Sequence, residues 1–534
     1  MKPRLLPFFL TCIIVILTAG CKRRQEVVIL FENDIHCAVD AYVDIAALRD
    51  SALQKTPYVS VVSSGDFFQG DIVGSLSRGQ YIVDIMNTVP YDVVTLGNHE
   101  FDYGIARQRQ LCGELTADVV CCNFSRHSKD DGELLYAPFV IRKYGPVRVA
   151  FVGIATPSTL HTSTPTYFMD STGQVIYDFH QTNTFVCVQQ AVNEARQKGA
   201  DYVIALSHLG DDTPPVSSPD LITATRGIDV VMDGHSHHVL HRRMPNAEGQ
   251  PVWLVSTGSK GKCLGEMVIL VNGDIRIRLI DPMTIDDSAL PKRVTDKIAY
   301  IESCLDSLVN KPVGYSEVNL LDRDSQKVRI IRWKETNLSD FAADAMRAVG
   351  GGQIGVIHGG GLRAPIDTGT ITLGELISLF PFNNRLAKVS MTGQQLLDAM
   401  EVSVATYPIE SGDFHICSGL RYCIDSTIPS SVIWDKMKMF AGVGETRRIV
   451  RMEVEVAKGR WCPVDPDAVY SVSGLNYTLL SGGASGMFRY AKPLPMEEDI
   501  KDTEVLLRYL HLLGDTIRAS QYPEDIHEHR FEVR

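Results

Sequence analysis

The sequence predicts an α/β protein of more than one domain. Three features say so: the length, the alternation of β-branched runs with helical stretches in the first half, and a change of pattern after Pro282. At 534 residues the chain exceeds what one hydrophobic core sustains. Its 45% hydrophobic and 22% charged residues are ordinary for globular protein. Strands are predicted over 27–31, 58–62, 93–96, 119–122, 147–154, 202–206, 230–232 and 252–255, each a short β-branched or aromatic run. Between several of them a helical period recurs, over 43–54, 80–88 and 186–198. Strand–helix alternation of this kind builds a layered α/β domain, here over 27–285, and such sheets collect ligands beyond the carboxyl ends of their strands.

Pro282 and the acidic residues around Asp286 close that domain. A linker over 286–310 follows, in which 291–308 reads as one amphipathic helix. The second domain is expected over 311–520. It carries E-T-N-L-S-D-F-A-A-D-A-M, H-G-G-G-L-R-A-P-I, F-P-F-N-N and S-G-G-A-S-G, whose glycine-rich pieces read as binding loops. The charged stretch from Gln521 to Arg534 reads as a loose tail. There is no internal repeat and no low-complexity segment.

The first residues read as a targeting segment. Lys2 and Arg4 precede an apolar run from Leu5 to Ala19 that ends in T-A-G-C. That run is short of the roughly 20 apolar residues a membrane span needs and matches a secretory signal over 1–20. Its end resembles a bacterial lipobox, with Thr18 where a leucine is usual and Cys21 as the lipid-bearing residue; an ordinary signal peptide or an uncleaved anchor is the alternative. The expectation is an exported lipoprotein, periplasmic or at the cell surface of a bacterial membrane. Ten cysteines then remain, without a C-x-x-C pair. Cys417 and Cys423 are close enough to bridge a short loop, and most of the others lie in apolar runs as small buried hydrophobes. The net charge of −12 argues against a nucleic-acid polymer as partner. It leaves small anionic substrates open, because bound cations reverse a local field. No protein partner is implied.

Chemistry concentrates after the predicted strands of the first half. N-D-I-H, S-S-G-D-F-F-Q-G, L-G-N-H-E-F-D, S-H-L-G and D-G-H-S-H-H place Asp34, His36, Asp66, Asn98, His208, His235 and His237 at strand ends. Carboxylate, amide and imidazole ligands suit divalent transition metals, and the set exceeds what one tetrahedral ion takes. Two ions fit: Asp34, His36 and His237 on one, Asn98, His208 and His235 on the other, Asp66 bridging. A metal pair of this kind clamps an in-line phosphoryl displacement, with a hydroxide held between the ions as nucleophile. Zn²⁺, Mn²⁺, Co²⁺ and Fe suit these ligands equally. His99, its imidazole held by Asp102, would stabilise the phosphoryl charge or protonate the leaving group. His238 and His241 have no assigned role.

These five blocks resemble the calcineurin-like metallophosphoesterase signature, and together with the second-half blocks the chain resembles the exported 5′-nucleotidase family, which includes the bacterial UDP-sugar hydrolase/5′-nucleotidases. The resemblance implies a four-layered α/β sandwich holding two metals, joined by a helix to a second α/β (α+β) domain that recognises the nucleoside and rotates about a hinge. It assigns the seven ligands named above and His99 with Asp102 as the catalytic pair. In H-G-G-G-L-R, Arg363 keeps the family's arginine while His358 stands in place of an asparagine. P-F-N-N puts Phe382 on the base with Asn384 beside it, and Arg332 or Lys334, before E-T-N-L, is expected to supply a further cation. Near S-G-G-A-S-G the family's second aromatic position falls on Thr478, next to Tyr477, and Ala484 stands where the family has a ribose-binding aspartate. The implied activity is hydrolysis of nucleoside 5′-monophosphates, with UDP-sugars as a further substrate. The alternatives are a 2′,3′-cyclic-nucleotide phosphodiesterase/3′-nucleotidase, a hydrolase of non-nucleotide esters, and a non-catalytic surface lipoprotein.

Overall fold

A computed structural model describes residues 25–534 apart from 127–132, 171–173, 213–215, 287–289, 436–438, 481–482, 484 and 528. The expected signal segment, Cys21 and Ala484 lie outside the described residues.

The first half is built on two six-stranded sheets lying face to face. In one, Val27–Glu32, Val59–Ser63, Val93–Val94 and Asp118–Val119 run parallel, with Leu264–Ile269 and Ile275–Ile280 antiparallel at the edge. In the other, Val147–Ile154, Tyr202–Ser207, Val230–Met232 and Pro251–Thr257 run parallel between two antiparallel edge strands. Side-chain alternation assigns the faces. Val27, Ile29 and Phe31 point between the sheets and meet Val149, Phe151, Ile204 and Met232. Val28 and Leu30 point the other way, into a layer that includes helices Val39–Leu53, Gln80–Thr88 and Lys292–Val309. Helices Thr184–Gln197 and Ser218–Ala224 cover the second sheet. The result is a four-layered α/β sandwich, and with both strand faces buried the strands read as continuous apolar runs.

Helix Lys292–Val309 buries Val294, Ile298, Ile301 and Leu305, one stripe at helical spacing, against this first unit. It delivers the chain to a second, mixed α/β unit with one core of its own. There a five-stranded sheet runs in the order His415–Ser418, Ile354–His358, Val469–Leu475, Leu386–Thr392, Lys492–Leu494. Capping boxes at Thr336, Thr372 and Thr392 fix where its helices start, each hydroxyl accepting an N–H that the first turn leaves unpaired.

Three expectations change. Strands over 93–96 and 119–122 shorten to Val93–Val94 and Asp118–Val119, because the chain leaves the ladder early to reach the site. The tail is not loose: Phe531–Val533 pairs with Leu420–Ile424, and the Arg530 guanidinium donates at 2.9 Å to both carboxylate oxygens of Asp344. Cys417 and Cys423 are buried free thiols in strands of two different sheets, which the chain enters through Gly419 at φ +74°.

Candidate metal centre and the adjoining cavity

The five loops that leave the carboxyl ends of the parallel strands converge between the two sheets. Each must turn sharply to aim its side chain back over the sheet edge. Asp34, His36, Asp66, His235 and His237 accordingly hold positive φ, between 47° and 76°. Non-glycine residues pay conformational energy there, of order 1 kcal/mol each, and such strain gathers at functional sites. Gly97 leaves room for the result: a Cβ there would fall on the Asp66 carboxylate and within 2.7 Å of His208 Cε1.

Asp34, His36, Asp66 and His237 bring one ligand atom each within 4.8 Å of one another. His36 Nδ1 donates to the Gln69 carbonyl at 3.0 Å, so its Nε2 is a lone pair, which faces His237 Nε2 at 3.1 Å. His237 Nε2 is also 3.3 Å from Asp34 Oδ1. Ligands about 2.0–2.2 Å from one ion stand roughly 3–3.6 Å apart, so this spacing fits a metal. The second group meets the same test. His208 Nδ1 donates to the Ser64 carbonyl at 2.6 Å, which aims Nε2 at Asp66 Oδ2, 3.1 Å away, without hydrogen-bond geometry. His235 Nδ1 lies 2.9 Å from Asn98 Oδ1. Burial opposes charge on His208, but Asp66 and then Asp34 outweigh it and push it up to about 10. The pair of carboxylates demands a cation, and a metal ion meets that demand in place of a proton.

His99 stands beside this cluster. Its Nδ1 donates to Asp102 Oδ2 at 2.6 Å, Ser163 Oγ donates to Asp102 Oδ1 at 3.1 Å, and the His99 backbone N–H donates to Asp66 Oδ1 at 2.8 Å. The imidazole is thereby fixed in the tautomer that leaves Nε2 toward the cleft. Burial opposes its protonation; the Asp102 and Asp66 charges outweigh burial and hold it at about 9.

A cavity of about 150 Å³ opens from His99 into the second unit, and His358, Arg363, Phe382 and Asn384 line it as expected. The Phe382 ring stacks on His99 at 6.0 Å and 27°, and the Arg363 guanidinium lies 5.4 Å from the same ring. Ser75 Oγ donates to the Pro381 carbonyl at 2.7 Å, which ties the Phe382 loop to the first unit. His358 is part of the wall: burial, then His415 and Arg332, push its pKa down to about 3, and its Nδ1 lies 3.2 Å from Thr478 Oγ1. Arg332 does not line the cavity. It is half-buried, and burial followed by the Arg329 and Arg363 charges pushes it down to about 10.

The aromatic position expected at Thr478 is corrected by the fold. Residues Asn476–Leu479 form one helical turn, in which neighbours point about 100° apart. Thr478 is therefore buried, while Tyr477 lines the cavity with its ring 5.6 Å from His358. Glu100 is readable inside L-G-N-H-E-F-D, yet residue type alone gives it no role. Its buried carboxylate accepts the backbone N–H groups of Asp66, Phe67, Phe68 and Gly97 at 2.6–3.2 Å, which sets the Asp66 loop. His238 pairs with Asp211 at 2.7 Å and His241 packs on Trp253 at 5.0 Å, both away from the cluster.

Layered α/β architecture, a ligand cluster at the strand ends and a His–Asp pair beside it define a metal-dependent phosphoesterase. Residues 27–239 match the calcineurin-like phosphoesterase family and residues 312–491 the 5′-nucleotidase C-terminal domain. The chain belongs to the family that joins these two domains. The 5′-nucleotidase of Bos taurus is 26% identical over 90% of this chain and 87% of its own. The solved 5′-nucleotidase precursor of Thermus thermophilus superposes with a TM-score of 0.75 at 25% identity, over 95% of this chain and 99% of that one. The trifunctional nucleotide phosphoesterase YfkN of Bacillus subtilis is 24% identical over 92% of this chain, which spans 34% of that relative's length.

Proposed function

We propose that the protein hydrolyses nucleoside 5′-monophosphates to nucleoside and phosphate, using two divalent metal ions. The observation that carries this reading is the shared wall: the cavity that Phe382 and Tyr477 line also takes in His99 and Asp102, and Phe382 stacks on His99, whose ring lies 5.2 Å from that of His36 in the ligand cluster. The relatives named 5′-nucleotidase support it.

In this reading Asp34, His36, Asp66 and His237 hold one ion, and Asp66, Asn98, His208 and His235 the other. Zn, Mn, Co and Fe all suit these ligands. Bound ions supply Lewis acidity toward phosphoryl oxygens and acidify water. The chain's own residues do the rest. Arg363 offers a fork of N–H donors to the phosphate. Phe382 and Tyr477 hold the base by stacking, which any nucleobase satisfies. His99 Nε2 delivers a proton to the leaving oxygen, while Asp102, itself held by Ser163, keeps the imidazole in register. Export and a lipid on Cys21 belong to the same proposal, supported by the basic, apolar and T-A-G-C segments of the first 21 residues; mass spectrometry of the mature N-terminus tests them.

Phosphate release with Mn²⁺ or Zn²⁺ across AMP, a 2′,3′-cyclic nucleotide, a 3′-nucleotide, UDP-glucose and an aryl phosphate decides the substrate. Preference for AMP is expected. Turnover confined to the aryl phosphate, or faster on cyclic and 3′-phosphates, overturns the reading.

A further inference from the structure

The chain enters the first unit at the edge opposite the metal centre. Strand Val27–Glu32, third of six in its sheet, starts at that edge. Its six residues, at about 3.3 Å each, span roughly 20 Å to the end where Asp34 and His36 turn over the sheet. The start of the strand has no slack. The Thr56 hydroxyl donates to the Glu26 carbonyl at 2.7 Å, and the Val28 N–H donates to the Tyr58 carbonyl at 2.9 Å. Glu26 is five residues beyond Cys21, a reach of at most about 18 Å for a fully extended chain. A lipid on Cys21 would tie this edge to a bilayer and leave the metal centre a strand's length further out.

The rest of the molecule lies on that far side. Helix Lys292–Val309 starts near the entry edge, where Arg293 Nη1 donates to Asp50 at 2.6 Å. Its 18 residues run about 27 Å to the second unit, where the Val309 carbonyl abuts Gly374. What borders the entry edge is a set of turns, 54–58, 145–146, 198–201 and 270–274. They form one rim: Tyr202 Oη donates to the Gly273 carbonyl at 2.7 Å, and the Tyr58 hydroxyl lies 2.7 Å from where a Cβ on Gly145 would stand.

The chemistry of the rim suits lipid headgroups. Lys22, Arg23 and Arg24 follow Cys21 directly, a block of cations in a chain whose net charge is −12. Lys55 and Lys143 are exposed on the rim, and Val271 stands 53% exposed in the turn at 270–274. The rim's aspartates are occupied by neighbours. Asp118 pairs with Arg142 at 2.8 Å, Asp201 Oδ2 accepts the Arg148 N–H at 2.8 Å, and Asp274 Oδ2 accepts the Asn272 amide at 2.7 Å. Glu26, exposed beside the tether, is outnumbered by the cations around it. Attraction to anionic headgroups fades within a Debye length of the surface, so cations count only where the tether holds them close.

We propose that this rim is a lipid-facing surface: the protein stands on an anionic bilayer with the turns around Glu26, Lys55, Lys143 and Val271 against the headgroups, and its metal centre and cavity open toward the solution. The inference rests on the lipoprotein reading above and gives it an orientation. Substrates are then soluble phosphate esters met from the solution side, and not groups carried in the membrane.

The test compares the mature lipid-bearing chain, bound to vesicles of phosphatidylglycerol and phosphatidylethanolamine, with residues 22–534 mixed with the same vesicles. Both are treated with a water-soluble amine-acylating reagent, and mass spectrometry reads the rate at each lysine. Lys55 and Lys143 should react several-fold more slowly in the vesicle-bound chain. Lys260, whose N–H donates to the Asp34 carbonyl at 2.8 Å, and Lys262 are exposed beside the metal centre and should react equally in both. Equal rates at all four lysines, or slowing at Lys260 and Lys262, overturn the orientation. Aryl phosphate turnover should be the same on vesicles as in solution, and a several-fold loss on vesicles also overturns it. The mass of the mature N-terminal peptide keeps two failures apart. Without a lipid on Cys21 the lipoprotein reading fails and the orientation falls with it; a lipidated Cys21 with Lys55 and Lys143 unshielded removes the orientation alone.

Discussion

Replacing Phe382 with alanine should separate nucleoside recognition from phosphoryl chemistry. The ring lines the cavity, lies 6.0 Å from His99 in stacked geometry and carries the Arg363 guanidinium 5.4 Å from its centre. A base stacked on an aromatic side chain contributes about 1–3 kcal/mol. Losing it raises KM for AMP by roughly 5- to 150-fold, since about 1.4 kcal/mol corresponds to a factor of ten. The exposed cation–π contact adds about 0.5–1 kcal/mol of lost order at Arg363. His99 keeps its hydrogen bond to Asp102, so kcat should change little and aryl phosphate turnover should be nearly untouched. Phe382→Tyr retains a ring face and should restore most of the affinity. Initial rates against AMP and an aryl phosphate over a wide concentration range measure both constants. An unaltered KM for AMP, or equal losses on the two substrates, refutes base stacking at this residue.

His99→Asn should cut turnover by roughly 10²–10⁴-fold, the usual range for a general acid, while elemental analysis finds the same bound metal; undiminished turnover removes His99 from the chemistry. Glu100→Gln leaves two of four buried N–H donors facing an amide nitrogen, at about 1–3 kcal/mol each. Its melting temperature should drop by several degrees and its metal content should fall, and equality with wild type in both would contradict the role given to Glu100. Asp502 bears on pH. Burial pushes its carboxyl up to about 7, although it accepts the Asn384 N–H at 2.7 Å. Between its ordinary value of 3.8 and 7 the folded state holds a proton that the unfolded state has released. Stability therefore falls as pH rises through that window, by at most about 4 kcal/mol. Melting curves at pH 4, 5.5 and 7.5 should show a shallower slope in Asp502→Asn, and identical slopes would refute the assignment.

The sequence by itself determined the layered α/β class and the position of the ligand-bearing loops, because both follow from local pattern. Apolar runs bounded by turn residues mark buried strands, and Asp34, Asp66, Asn98, His208 and His235 announce themselves by residue type at the strand ends. The helix after Pro291 was legible for the same reason, with Val294, Ile298, Ile301 and Leu305 on one face. Tertiary structure decided what depends on orientation and distant partners. Tyr477 or Thr478 at the cavity is a matter of which way one helical turn faces. The ordering of Phe531–Val533 rests on a partner strand more than a hundred positions earlier, Leu420–Ile424, and on the Arg530–Asp344 pair. Glu100 reads as one more acidic residue until the backbone of the Asp66 loop wraps around it. Burial and distant hydrogen-bond partners are properties of a place in space and not of a stretch of chain.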